Sequence, residues 1–240
     1  MPWRPDLLAL VELAAPSSCA GCGTAGTRWC PDCANVLGTA APRPWRPTPC
    51  PAGFPPTWTG PAYAGPVRAA VVAWKERDRV ELTPVLAAVL RGVLAEALAA
   101  SAPHTVAVLR GAPVALVPAP SAPSSVRTRG RRPVPELAAA AARTDLVVDA
   151  LRLTRRVQDQ AGLSARQRAA NLERAVTVRP RVRAALRGVP CVVVDDVVTT
   201  GATLVECARA LRAVGAGPVV AVTVAATARR PVEPRPRRSD

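Results

Sequence analysis

Apolar residues along this chain alternate between short β-branched runs and stretches with helical spacing. Val192 to Val194 is an uninterrupted apolar run and reads as a strand buried on both faces, as in a parallel sheet. Leu204, Val205, Ala208 and Leu211 follow with helical spacing and stop at Gly215 and Gly217, which predicts a helix. Upstream, Val67, Ala70, Val71 and Trp74 at i, i+3, i+4 and i+7 predict a helix over 64–74. A longer amphipathic helix is predicted from Leu82 to Ala100, with Pro84 in its first turn. Pro113 to Pro120 reads as a buried strand running into a loop, and Glu136 to Arg143 as an alanine-rich helix. Asp145 to Leu153, Val176 to Val178 and Pro218 to Ala226 have strand character.

The length suits one domain of moderate size with an appendage. The net charge is +15, and of its 32 basic side chains only Lys75 is a lysine. Such charge fits nucleic acid, a phosphorylated ligand or an acidic partner. Because arginine occurs in nearly every segment, most of it reads as a compositional preference. Apolar runs fall short of the ~18 residues of a membrane span, so no membrane insertion is expected. Leu7 to Ala15 contains Glu12 and makes a poor signal peptide. A cytoplasmic protein is expected.

Cys19-Ala-Gly-Cys22 and Cys30-Pro-Asp-Cys33 form two C-x₂-C pairs. Two adjacent pairs can converge tetrahedrally on one zinc, and they favour a structural Zn²⁺ site over disulfides or a redox pair. Cys50 stands apart and reads as a free thiol, with a replacement zinc ligand as the alternative. Residues 41–61 carry eight prolines and read as an extended connection. The expected organisation is therefore a zinc-binding module with its connection over 1–59, a second domain over 60–228, and a disordered basic tail over 229–240.

The chemistry concentrates after Val194. Asp195 and Asp196 precede Thr199-Thr200-Gly201-Ala202-Thr203, and the predicted helix follows. A helix N-terminus with threonine hydroxyls and a permissive glycine is a phosphate cradle. The two carboxylates suit sugar hydroxyls or a hydrated Mg²⁺. A ligand with a phosphate, a diol and a metal-bound diphosphate satisfies all three, which describes 5-phosphoribosyl-1-pyrophosphate (PRPP). The run resembles the PRPP-binding signature of type I phosphoribosyltransferases. By that resemblance Asp195 and Asp196 hold the ribose hydroxyls and residues 199–203 wrap the 5′-phosphate. Arg127, Arg129 and Gly130, with Arg131 and Arg132, are candidates for the diphosphate; a solvated basic loop is the alternative reading.

Taken together, the cysteine pairs, Tyr63-Ala-Gly65-Pro, Lys75, the Arg-Gly segment, Gln160-x-Gly162-Leu163, Arg168-x-x-Asn171 and the acidic signature resemble the ComF family of competence-associated proteins. Relatives usually carry an aromatic, Asn and Gln after the Arg-Gly, where this chain has Arg131-Arg132-Pro133, and usually a further cysteine pair near Cys50, which is single here. The resemblance implies an α/β fold: a type I phosphoribosyltransferase-like twisted parallel sheet with helices on both faces, preceded by the zinc module. It also implies a hood over the acceptor carrying Gln160, Arg168 and Asn171. The implied reaction displaces pyrophosphate from the anomeric carbon by a nitrogen nucleophile, with Mg²⁺ accompanying PRPP. Hypoxanthine-guanine enzymes place an aspartate where Thr199 stands, so 6-oxopurine acceptors are disfavoured. The competing reading is a non-enzymatic module that senses PRPP or a nucleoside monophosphate. In that reading it partners a DNA-translocating helicase or binds single-stranded DNA.

Overall fold

The computed structural model describes residues 17–142, 147–154 and 174–228. In chain order the elements are α1 (Pro31–Gly38), β1 (Arg43–Trp45), β2 (Thr57–Thr59), α2 (Gly65–Glu76), α3 (Thr83–Ala99), α4 (Ala102–Leu109) and β3 (Ala115–Pro118). Then come α5 (Pro123–Arg129), α6 (Pro133–Ala141), β4 (Leu151–Leu153), β5 (Val176–Val178), β6 (Cys191–Val198), α7 (Ala202–Arg212) and β7 (Val219–Ala226).

Five strands form one sheet in the order β1-β2-β7-β6-β3, parallel apart from the antiparallel β1–β2 pair. Alternate side chains of β6 serve two cores. Val192 and Val194 pack with α2, α3 and α6, whereas Cys191 and Val193 pack with the α7 side. This period-two division explains the continuous apolar run, since both faces are covered. The expected twisted parallel sheet with helices on both faces is therefore the architecture observed.

Several elements differ from the sequence reading. The proline-rich stretch is extended but not merely a connection, because β1 and β2, the latter ending at Thr59, pair into the sheet. Proline is tolerated there because Pro44 lies in the edge strand. Helix α4 was not legible: Val106, Val108 and Leu109 face solvent, which blurs the periodicity. The Arg-rich segment is not all loop. Pro123 opens the short helix α5, and Gly130 closes it in the left-handed conformation at φ 66°. Between Asp145 and Leu153, regular strand among the described residues is confined to 151–153, with an isolated bridge from Val147 to Leu116. β6 extends to Val198, so the acids lie within the strand rather than beyond it.

Among the described residues one helical stretch, Val80–Ala99, is long and apolar enough to cross a membrane by length and composition, with a mean hydropathy of 1.7. It packs against β7, β2 and α6, and Leu86, Leu90, Val93 and Ala97 are buried there.

Candidate functional site

Strand parity sends the two acids to opposite faces of β6. Asp196 continues the row of Val192 and Val194 and faces α2, while Asp195 continues the row of Cys191 and Val193 and faces α7. Both stand at the carboxyl end of the parallel strands, where open α/β sheets bind ligands. They line a cavity of about 430 Å³ together with Thr199, Thr200, Gly201, Ala202 and Thr203.

Lys75, on the last turn of α2, places Nζ 2.6 Å from Asp196 Oδ2. The Asp196 side chain is 6% exposed and that of Lys75 32%. Burial alone would raise the Asp196 pKa, but the ammonium beside it holds the carboxyl below its ordinary value. Asp195 has no cation in contact among the described residues. Burial and the neighbouring Asp196 charge push its pKa up to about 8. One Asp195 oxygen, Oδ1, accepts the Asp196 N–H at 2.9 Å.

The loop enters α7 through Gly201 at φ 79°, a left-handed conformation that favours glycine. Glycine is required there for a second reason: a Cβ would overlap the Phe54 ring. Phe54 packs at 6.0 Å on Trp45, and Arg212 donates to the Gly53 carbonyl at 2.8 Å. The proline-rich segment thus buttresses the loop from behind. Thr200 Oγ1 accepts the Ala202 N–H at 3.4 Å, and the Thr203 hydroxyl takes no hydrogen bond among the described residues. First-turn amides of a helix lack intrahelical partners and are free to meet an anion.

Tyr63, Lys75 and Phe54 are site residues that the sequence reading did not assign. Tyr63 and Lys75 line the cavity. They had been singled out only as part of a family pattern, and Phe54 carried no signal.

The arginine segment behaves differently. Arg129 lines the cavity but gives Nε and Nη2 to Glu76 at 3.1 and 2.9 Å. Arg131 binds Glu136 and lies 5.5 Å over the Trp74 ring. Arg132 forms a bidentate pair with Asp149 at 2.9 and 2.8 Å. Arg127 is exposed and is not among the residues lining the cavity, and Gly130 ends α5. Leu153 and Val176, from the antiparallel β4–β5 pair, form part of the cavity wall. Gln160, Arg168 and Asn171 lie outside the described residues.

The four sulfurs of Cys19, Cys22, Cys30 and Cys33 lie within 4.8 Å of one another. Zn–S bonds near 2.3 Å place tetrahedral sulfurs roughly 3.8 Å apart, so the set fits a structural zinc. None of the four is in a disulfide. The Gly21 and Cys30 N–H groups point at Cys19 Sγ from 3.4 Å, and the Cys33 N–H at Cys30 Sγ from 3.5 Å. Such donors favour thiolates. Arg79, oriented by Glu81, donates to the Ser18 and Arg28 carbonyls at 3.2 Å and ties the knuckles to the end of α2. Cys50 is exposed and free; Cys191 and Cys207 are core residues.

A search of curated proteins finds no match to this chain. The family model described as the phosphoribosyl transferase domain matches residues 125–239, a span that contains the acid pair, the Thr/Gly loop and α7. The cradle and its place at the strand ends agree with that match.

Proposed function

We propose that the chain binds PRPP and, given an acceptor, transfers its phosphoribosyl group to nitrogen. The observation that carries this reading is the junction of β6 and α7. There two carboxylates and an anion-binding turn share one cavity, spaced along the chain as a phosphorylated ribose requires. Residues 199–203 take the 5′-phosphate, and the open oxygens of Asp195 and Asp196 accept from the ribose hydroxyls. Mg²⁺ takes hard oxygen donors and keeps much of its water. Asp195 and Asp196 offer such donors, and the ion supplies charge neutralisation to the diphosphate. In the transfer step the bond from the anomeric carbon to the diphosphate breaks as the nitrogen bond forms. The chain's contribution is positioning and charge stabilisation. The Cys19–Cys33 cluster holds zinc as a structural centre, and Gln160, Arg168 and Asn171 belong to the acceptor side.

The test is calorimetric titration with PRPP, ribose 5-phosphate and nucleoside monophosphates, with and without Mg²⁺. A pyrophosphate-release assay against a panel of bases and amines accompanies it. Binding of PRPP with release for one acceptor class is the expected result. Absence of binding at millimolar ligand overturns the reading.

A second reading is favoured by the engaged arginines. With Arg129 held by Glu76, the diphosphate side offers few uncommitted cations among the described residues, which suits a ligand-sensing accessory protein. In that case the ComF resemblance points to competence, with a helicase partner or single-stranded DNA. Direct DNA binding by surface arginines would weaken steeply as salt rises, and salt-independent binding would exclude an electrostatic mode.

A further inference from the structure

Lys75 lies outside the residues matched by the phosphoribosyl transferase domain model, yet it makes the closest ion pair to the acid pair. It is also the chain's single lysine among 32 basic side chains. Its geometry sets it apart from the arginines nearby. Nζ meets one oxygen of Asp196, Oδ2, at 2.6 Å. The neighbouring cation, Arg129, is turned to Glu76. Without Lys75 the cavity floor would carry two adjacent acids and, among the described residues, no cation paired to them, a poor surface for a ligand with several negative charges.

We propose that Lys75 is a positioning residue for the ribose site. Its ammonium pins Asp196 through Oδ2, turns Oδ1 toward the cavity to accept from a ribose hydroxyl, and cancels the charge that would repel a polyanionic sugar phosphate. A compact ammonium suits this task because it engages one carboxylate oxygen and leaves the other open. A guanidinium fork takes both, as Arg132 does at Asp149. This inference rests on the proposed ribose-phosphate reading of the site.

The experiment measures affinity for ribose 5-phosphate and PRPP by calorimetry in wild type, Lys75→Met, Asp196→Asn and the double variant. Lys75→Met should lose about 30-fold or more, as expected when one partner of a buried charge pair is removed, and more for PRPP than for ribose 5-phosphate. In the Asp196→Asn background the same change should cost less than about threefold, because the two residues act as a unit. A variant that fails to fold is bypassed by acetylating Lys75 in the folded wild-type protein. Lys75→Arg treated identically controls for the N-terminal amine. Acetylated wild type should reproduce the loss while ligand protects Lys75 from the reagent. Unchanged affinity after Lys75→Met or acetylation overturns the role of Lys75 alone, as do additive losses in the double variant. A wild type that binds neither ligand overturns the ribose-phosphate reading and this inference with it.

Discussion

Two stretches of this chain look like phosphate binders, and only one of them keeps its donors open. The turn between β6 and α7 presents a helix N-terminus, the Thr203 hydroxyl and two carboxylates to a common cavity. The segment 127–132 has four arginines, three of which close on carboxylates: Arg129 on Glu76, Arg131 on Glu136, Arg132 on Asp149. Arginine density is thus a weaker indicator of a site than a backbone that leaves polar groups without internal partners. The cysteine cluster belongs with the open class, since four sulfurs converge with no disulfide to close them.

The largest effect should come from emptying that cluster. Structural zinc contributes about 10 kcal/mol or more to the folding of small metal modules. Purified protein should contain about one zinc per chain, and Cys33→Ser or chelation should remove it. Amides of residues 17–38 should then exchange freely with solvent. Loss of order should extend to Arg79, which holds the Ser18 and Arg28 carbonyls, while the amides of β6 and β7 stay protected. Folded, metal-free protein with residues 17–38 still protected would move the cysteines out of the open class.

Next in size is Gly201→Val. A branched residue at φ 79° costs about 1–3 kcal/mol in backbone strain, and its side chain must displace Phe54. Ribose 5-phosphate and PRPP binding should both disappear, with a lowered melting temperature. Gly201→Ala in a Phe54→Ala background removes the overlap but not the strain, so it should recover only part of the loss. Full recovery would show that the turn's backbone is not what the ligand needs.

These two tests also mark what the sequence could convey. The acid pair, the turn and α7 lie within eighteen consecutive residues, so order along the chain already describes their geometry. The cysteine spacing is likewise local. The ion pair Lys75–Asp196 spans 121 positions, and the engagement of Arg129 by Glu76 spans 53. No local pattern reveals such partners, which is why the arginines look available in sequence and are engaged in space. Phe54 behind Gly201 was hidden for the same reason, within a proline-rich stretch whose extended conformation was legible but whose pairing to β7 was not.

A smaller effect separates the engaged arginines from the site. Arg132→Ala breaks a bidentate pair whose partners are 38% and 33% exposed. Solvent screening limits the cost to about 1 kcal/mol. Chemical denaturation should register that loss, and PRPP affinity should change by less than about threefold. An affinity loss as large as that expected of Lys75→Met would return Arg132 to the ligand and dissolve the contrast between the two stretches.

The smallest expected effect is a pH dependence of the same pair. The hydrogen bonds from Arg132, reinforced by the charges of Arg132, Arg179 and Arg181, hold the Asp149 carboxyl below its usual value. An acid whose folded-state value is depressed binds its proton less readily folded than unfolded. Its contribution to stability is therefore complete above the unfolded value, near 3.9 for Asp, and is lost as pH falls through the lower folded value. Asp149→Asn should flatten that part of the acid limb by under about 1 kcal/mol, given the pair's exposure. Acid also releases metal from thiolates, so the informative quantity is the difference between wild type and variant at each pH. A difference that is constant above pH ~4 and falls away progressively below it assigns this share of acid sensitivity to the Arg132–Asp149 pair. A difference that instead tracks zinc loss would place the acid-sensitive element at the cysteines.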